Sequence, residues 1–158
     1  ASSESFEAIA EADIIVLGPG SLYTSVIPNL LVDGIAEKIA QSKAPKVYIC
    51  NVMTQSGETD NYTAFDHLNA LITHTRPDIL SYCIVNIGKV PKELLKKYEE
   101  EGAYPVVADS DKIIENGYNV IEGDVVNTKN YVRHDAKKLS KIIIDLTLKT
   151  KGKKITID

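Results

Sequence analysis

The run Asp13-Ile14-Ile15-Val16-Leu17 feeds directly into Gly18-Pro19-Gly20-Ser21, and this junction constrains the fold more than any other feature of the chain. A short apolar run without alternation reads as a strand buried on both faces, as strands of parallel sheets are. Gly18 and Gly20 permit left-handed backbone angles and close approach, and Pro19 stiffens the turn between them. In open α/β sheets ligands bind beyond the carboxyl ends of the strands. The loop is therefore a candidate for turning free N–H groups toward an anion, most often a phosphate.

The rest of the chain repeats that unit. Residues 4–11 read as a helix end or lead-in, with Phe6 and Ile9 on one side. The segment 18–31 is long and polar-lipped for a βα connection, which usually runs about 2–6 residues, and long loops in that position tend to be functional. A helix is expected from Asp33 to Ser42, with Ile35, Ala36, Ile39 and Ala40 inward. A second strand covers 46–50. Thr63 and Asp66 then have the spacing of a capping box at a helix start. Phe65, Leu68, Leu71 and Ile72 form that helix's stripe, and Arg76-Pro77 ends it. A third strand spans 81–87, and a helix runs from Pro91 to Glu101 with Gly102 after it. Residues 105–109 are expected to form a fourth strand, with short strands at 118–121 and 125–126. A last helix starts on Asp135 as N-cap and reaches Lys149.

Strand–helix alternation argues for an α/β fold: a parallel, Rossmann-like sheet with helices on both faces, half of a larger domain. One domain is expected over 1–149, followed by a basic tail at 150–158 in which Ile155-Thr156-Ile157 could add a strand. A half sheet leaves an edge strand, which invites pairing with a missing amino-terminal half or with a second copy of the chain.

Charge and composition exclude several classes. The net charge of −4 argues against a nucleic-acid surface. The late lysines 137, 138, 141, 149, 151, 153 and 154 read as a solvated helix face and tail. No stretch approaches the roughly 20 apolar residues of a membrane span, and no secretory signal opens the chain, so a cytoplasmic protein is expected. Cys50 and Cys83 lie in apolar strand runs and read as buried thiols rather than a bridge.

Three groups of residues could carry chemistry. The first is Gly18, Gly20 and Ser21 with Thr24. This is neither a P-loop nor the dinucleotide fingerprint, because the Gly-Lys-Ser/Thr ending is absent and Tyr23 stands where a third glycine belongs. The second is the polar run 54–60, which follows a strand end and so shares a rim with 18–25 and 86–89. It supplies Thr54, Gln55 and Glu58, and Glu58 with Asp60 could hold a divalent metal between phosphates or simply cap the next helix. The third is Arg133-His134-Asp135. A cation at a helix start opposes the helix dipole. A bound phosphate would remove that conflict, with Arg133 as a planar donor fork, and a salt bridge to Asp135 would serve as well. His67 and His74 share a helix face without a clear third ligand, so no zinc site is expected. Lys89 is a further phosphate candidate at a strand end. No serine-hydrolase elbow is present.

The segments Leu17-Gly18-Pro19-Gly20-Ser21-Leu22-Tyr23-Thr24-Ser25-Val26-Ile27-Pro28-Asn29-Leu30-Leu31, Asn51-Val52-Met53-Thr54-Gln55-Ser56-Gly57-Glu58-Thr59-Asp60 and Arg133-His134-Asp135 occur in one order. Together they resemble the gluconeogenesis factor family, which is related to the 2-phospho-L-lactate transferases of F420 biosynthesis. Members of that family are about twice this length and begin with a glycine-rich strand–helix turn that this chain lacks, so the chain resembles the carboxyl half. The resemblance implies a cytosolic protein that binds a nucleotide-sugar such as UDP-N-acetylglucosamine and influences gluconeogenesis and cell shape, with no cofactor required. It also implies an alternative, a Mg²⁺-dependent transferase acting on a deazaflavin precursor.

Overall fold

A computed structural model describes residues 1–152. Helix α1 (Ser3–Glu11) leads into β1 (Ile15–Leu17), followed by a π turn at Leu22–Val26, α2 (Ile27–Leu30) and α3 (Ile35–Gln41). Then come β2 (Lys46–Ile49), α4 (Ala64–His74), a 3₁₀ turn at Pro77–Ile79, β3 (Tyr82–Asn86), α5 (Lys92–Glu100), α6 (Ser110–Glu115) and β4 (Asn119–Gly123). A two-stranded hairpin, β5 (Val126–Asn127) with β6 (Arg133–His134), precedes α7 (Ala136–Thr150).

The sheet has the order β1-β2-β3-β4, all parallel. Alternation along each strand divides two cores. Ile15, Leu17, Tyr48, Cys50, Cys83 and Val85 face α2, α3, α4 and α6 through Leu30, Ile39, Leu68, Leu71 and Ile113. Val47, Ile49 and Ile84 face the opposite way, against Leu139 and Leu146 of α7. Helices thus cover both faces; among the described residues α7 supplies the second layer, and Asp135 caps its start. β1 pairs only with β2 among the described residues, so its outer edge is open.

Several sequence expectations shift. Residues 105–109 do not join the sheet. Pro105 forms an isolated antiparallel bridge with Met53, and Val106 N–H donates to the Val52 carbonyl. Pro105 has no N–H for a ladder, and the fourth place in the sheet goes to Asn119–Gly123, beside β3. The segment's job is instead to cap: Val107 O takes Ala64 N–H and Asp109 Oδ1 takes Phe65 N–H at the start of α4. The helix expected from Asp33 begins at Ile35, because Gly34 sits at φ 80° and breaks the helical path there. The long loop after β1 is largely helical, as the π turn and α2. The expected capping box is present, with Thr63 Oγ1 accepting Asp66 N–H and the Asp66 carboxylate accepting Thr63 N–H. Residues 155–157 and most of the basic tail lie outside the described residues. No helix among the described residues is long and apolar enough to cross a membrane.

Candidate functional site

The carboxyl ends of β1, β2 and β3 open onto one edge of the sheet. At β1, Gly18 has φ +86°, and a Cβ there would lie 3.3 Å from the Ile49 carbonyl oxygen of β2. The loop therefore lies flat against the next strand end. Ser21 O receives N–H groups from both Ser25 and Val26, at 2.9 and 3.0 Å, which winds the π turn. Such turns are rare and concentrate at functional sites. Tyr23 fastens this turn to the segment before α4. Its hydroxyl lies 2.8 Å from that of Tyr62, a contact that pushes the Tyr23 pKa up to about 12. The N–H groups of Gly20 and Ser21 have no acceptor among the described residues, and Thr24 is exposed on the turn. A cavity of about 330 Å³ adjoins Gly18, Pro19, Ser25 and Asn29.

At β2, Thr54 is buried and structural in its contacts. Its N–H donates to Tyr104 O at 2.7 Å and its Oγ1 accepts Tyr104 N–H at 2.9 Å. Thr59 Oγ1 accepts Gln55 N–H, and Asp60 Oδ2 accepts Gly57 N–H at 2.8 Å. Asp60 is thus engaged in closing the turn instead of standing with Glu58. Three side-chain oxygens in this short stretch, Asn51 Oδ1, Gln55 Oε1 and Glu58 Oε2, are buried without a hydrogen-bond partner.

At β3 the Asn86 side chain ties the strand ends together. Its Oδ1 accepts N–H from Gly88 and Val125, and its Nδ2 donates to Gly88 O. Gly88 has no room for a side chain, since a Cβ would overlap the Asp124 carboxylate. Lys138 of α7 reaches Asp124 Oδ2 at 2.8 Å and Val126 O at 3.2 Å, and this ion pair holds the Asp124 carboxyl below the usual range.

The β5–β6 hairpin folds back over these ends. Successive residues of a strand face opposite ways. His134, opposite buried Val126, turns inward and lies with Nε2 3.0 Å from the Cys50 carbonyl of β2. Arg133, opposite Asn127, turns outward and is exposed. Among the described residues Arg133 makes no ion pair. The Asp135 carboxylate is committed to the N–H groups of Lys137 and Lys138. Tyr98 of α5 accepts Val132 N–H at 3.0 Å and so fixes the strand that carries Arg133. Burial holds the His134 pKa below its ordinary value, partly offset by the Cys50 carbonyl. Burial also raises the thiol of Cys50 well above its ordinary value, and that of Cys83 to about 12. Both thiols are free and protonated, as the strand runs implied.

The family model described as 2-phospho-L-lactate transferase CofD matches residues 1–126. The chain belongs to the CofD family. It is 46% identical over 144 residues to the gluconeogenesis factor of Bacillus subtilis, covering 90% of this chain and 45% of that protein. It is 49% identical over 143 residues to the gluconeogenesis factor of Halalkalibacterium halodurans, covering 90% and 44%. A crystal structure of a UPF0052 family member from Bacillus halodurans superposes with a TM-score of 0.88 at 49% identity, over 90% of this chain and 46% of that one. The resemblance carried by the three motifs is borne out, and the chain spans less than half the length of these relatives.

Within this CofD-family chain, the structure brings the loop at Gly18, Gly20 and Ser21 against the end of β2, from which Gln55 and Glu58 follow. It places Arg133 on the outer face of the hairpin. Sequence reasoning placed His134 and Asn51 inside motifs and Asn86 on the rim without giving any of them a role, and it passed over Tyr98. Asn51 and Asn86 did carry a signal, each standing where an apolar strand run turns polar. The role of Tyr98 depends on a contact with a residue 34 positions away, which no local pattern announces.

Proposed function

We propose that this chain forms a diphosphate-facing half of a gluconeogenesis factor, a cytoplasmic protein that binds a nucleotide-sugar such as UDP-N-acetylglucosamine and takes part in controlling carbon metabolism and cell shape. The observation that carries this reading is the unpaired Gly20 and Ser21 N–H pair in the loop after β1, a loop that Gly18 brings against the end of β2. Paired backbone donors at a strand end favour a phosphate. Thr24, Gln55 and Glu58 complete the rim. Arg133, free of carboxylate partners among the described residues, closes on the diphosphate when the hairpin and ligand meet. Thr54 supports the rim through Tyr104. The names of the curated relatives support the link to gluconeogenesis. The open edge of β1 is the seat for a further strand, from another part of a longer chain or from a second copy.

Titration calorimetry with UDP-N-acetylglucosamine tests the reading. Arg133→Ala is expected to weaken binding by about 1–3 kcal/mol, the worth of a charge-assisted contact. Unchanged affinity would remove Arg133 from the site, and absence of heat with the unaltered chain would count against the ligand class.

A second reading follows from the matched family model, described as a 2-phospho-L-lactate transferase, with Mg²⁺ as the metal the resemblance implies. Glu58, whose Oε2 lacks a partner, is the carboxylate it would use. Mg²⁺-dependent turnover of a deazaflavin acceptor would favour this reading over pure binding.

A further inference from the structure

The Cys50 carbonyl cannot donate a hydrogen, so the 3.0 Å contact from His134 Nε2 fixes the proton on that nitrogen. The other ring nitrogen, Nδ1, has no hydrogen-bond partner among the described residues and is not sealed from solvent. Burial keeps the ring neutral near pH 7, so Nδ1 carries a free lone pair, an acceptor, on a ring that Nε2 anchors at the end of β2. The glycine loop meets that same strand end one residue earlier, at the Ile49 carbonyl. The two sides of the β2 end therefore differ in kind. The loop side offers donors, Gly20 and Ser21 N–H. The hairpin side offers an acceptor, His134 Nδ1; the unpartnered oxygens of Asn51 and Gln55, which follow β2 along the chain, are buried. An anion suits the first side, while the lone pair of His134 Nδ1 offers it no hydrogen. A group bearing hydroxyl or amide hydrogens suits the second.

We infer that His134 is a ligand-contacting residue whose Nδ1 accepts a hydrogen bond from a hydroxyl or amide N–H of the sugar, while the glycine loop holds the diphosphate; the inference rests on the nucleotide-sugar reading above. It separates two neighbouring residues of one motif. Arg133 serves the charge of the ligand, and His134 discriminates a sugar-bearing nucleotide from the bare diphosphate.

Calorimetry with two probes, UDP-N-acetylglucosamine and UDP, tests it on the unaltered chain, His134→Ala and His134→Asn. His134→Ala is expected to weaken the nucleotide-sugar about tenfold, the worth of one hydrogen bond, with UDP unchanged. His134→Asn, whose side-chain oxygen falls near the position of Nδ1, recovers part of the loss. Equal weakening of both probes assigns His134 to structure alone and overturns the inference, and so does no weakening of either. If the unaltered chain binds neither probe, the nucleotide reading itself fails and this inference falls with it. Binding of both probes, kept in every variant, removes only the inference. Long-range ¹H–¹⁵N spectra of the unaltered chain give a readout that needs no variant. The His134 Nδ1 resonance is expected to move with UDP-N-acetylglucosamine and not with UDP, and a resonance indifferent to both overturns the proposal.

Discussion

Gly18 joins the backbone and the site at the scale of a single residue. Its φ of +86° belongs to the left-handed region, and the Ile49 carbonyl stands where a Cβ would press. An alanine there carries about 1–2 kcal/mol of conformational cost and pushes the loop off the end of β2. Gly18→Ala is therefore expected to lower stability in urea by about that amount and to weaken nucleotide binding together with it. Retained affinity with lowered stability would mean that the Gly20 and Ser21 N–H groups keep their aim without the close contact. Gly57 and Gly117 also have positive φ, but nothing lies within 4 Å of where a methyl group would stand, so only the conformational cost applies to them.

At the scale of elements, caps decide where helices begin, and these were legible. The spacing of Thr63 and Asp66 alone predicts a capping box, and both reciprocal bonds are formed. Asp135 likewise caps α7, with its carboxylate on the N–H groups of Lys137 and Lys138. Thr63→Ala removes an acceptor for Asp66 N–H and is expected to destabilise the fold by about 0.5–2 kcal/mol in chemical denaturation. A change below about 0.3 kcal/mol would mean that the neighbouring caps on Ala64 and Phe65, from Val107 and Asp109, carry the helix start by themselves. Strand assignment was less legible. Pro105-Val106-Val107 has the composition of a strand, yet it straps the loop after β2, whereas the plainer run from Asn119 to Gly123 enters the sheet. Composition measures the tendency to be extended. Which extended segment gains a ladder partner depends on what lies beside β3.

At the scale of the whole molecule, buried His67 and half-buried His134 tie stability to pH. His67 donates from Nδ1 to Thr63 O, and its Nε2 is buried without a partner. Burial depresses its pKa below the ordinary 6.5, as it does for His134. Both rings are neutral in the folded state near pH 7. The unfolded chain takes up protons first as pH falls, so the stability is fully present above about 6.5 and is lost as pH drops toward the lowered folded values. The urea midpoint is therefore expected to fall between about pH 7 and pH 5, and His67→Gln to flatten that fall. A midpoint constant over this range would show that neither ring is neutral by burial.

The first three strands and the helices between them, the buried thiols, the helix caps and the glycine loop at a strand end were written in local pattern, because each depends on residues within a few positions of one another. The site depended on juxtapositions that pattern does not contain. His134 meets Cys50 across 84 residues, and Tyr98 meets Val132 across 34. The opposite facing of Arg133 and His134 follows from a two-residue strand too short to read from periodicity. Local sequence set the elements through propensity, capping and hydrophobic period. Tertiary packing decided which strand ends share a rim, because a sheet brings distant segments together through backbone bonds that every sequence can make.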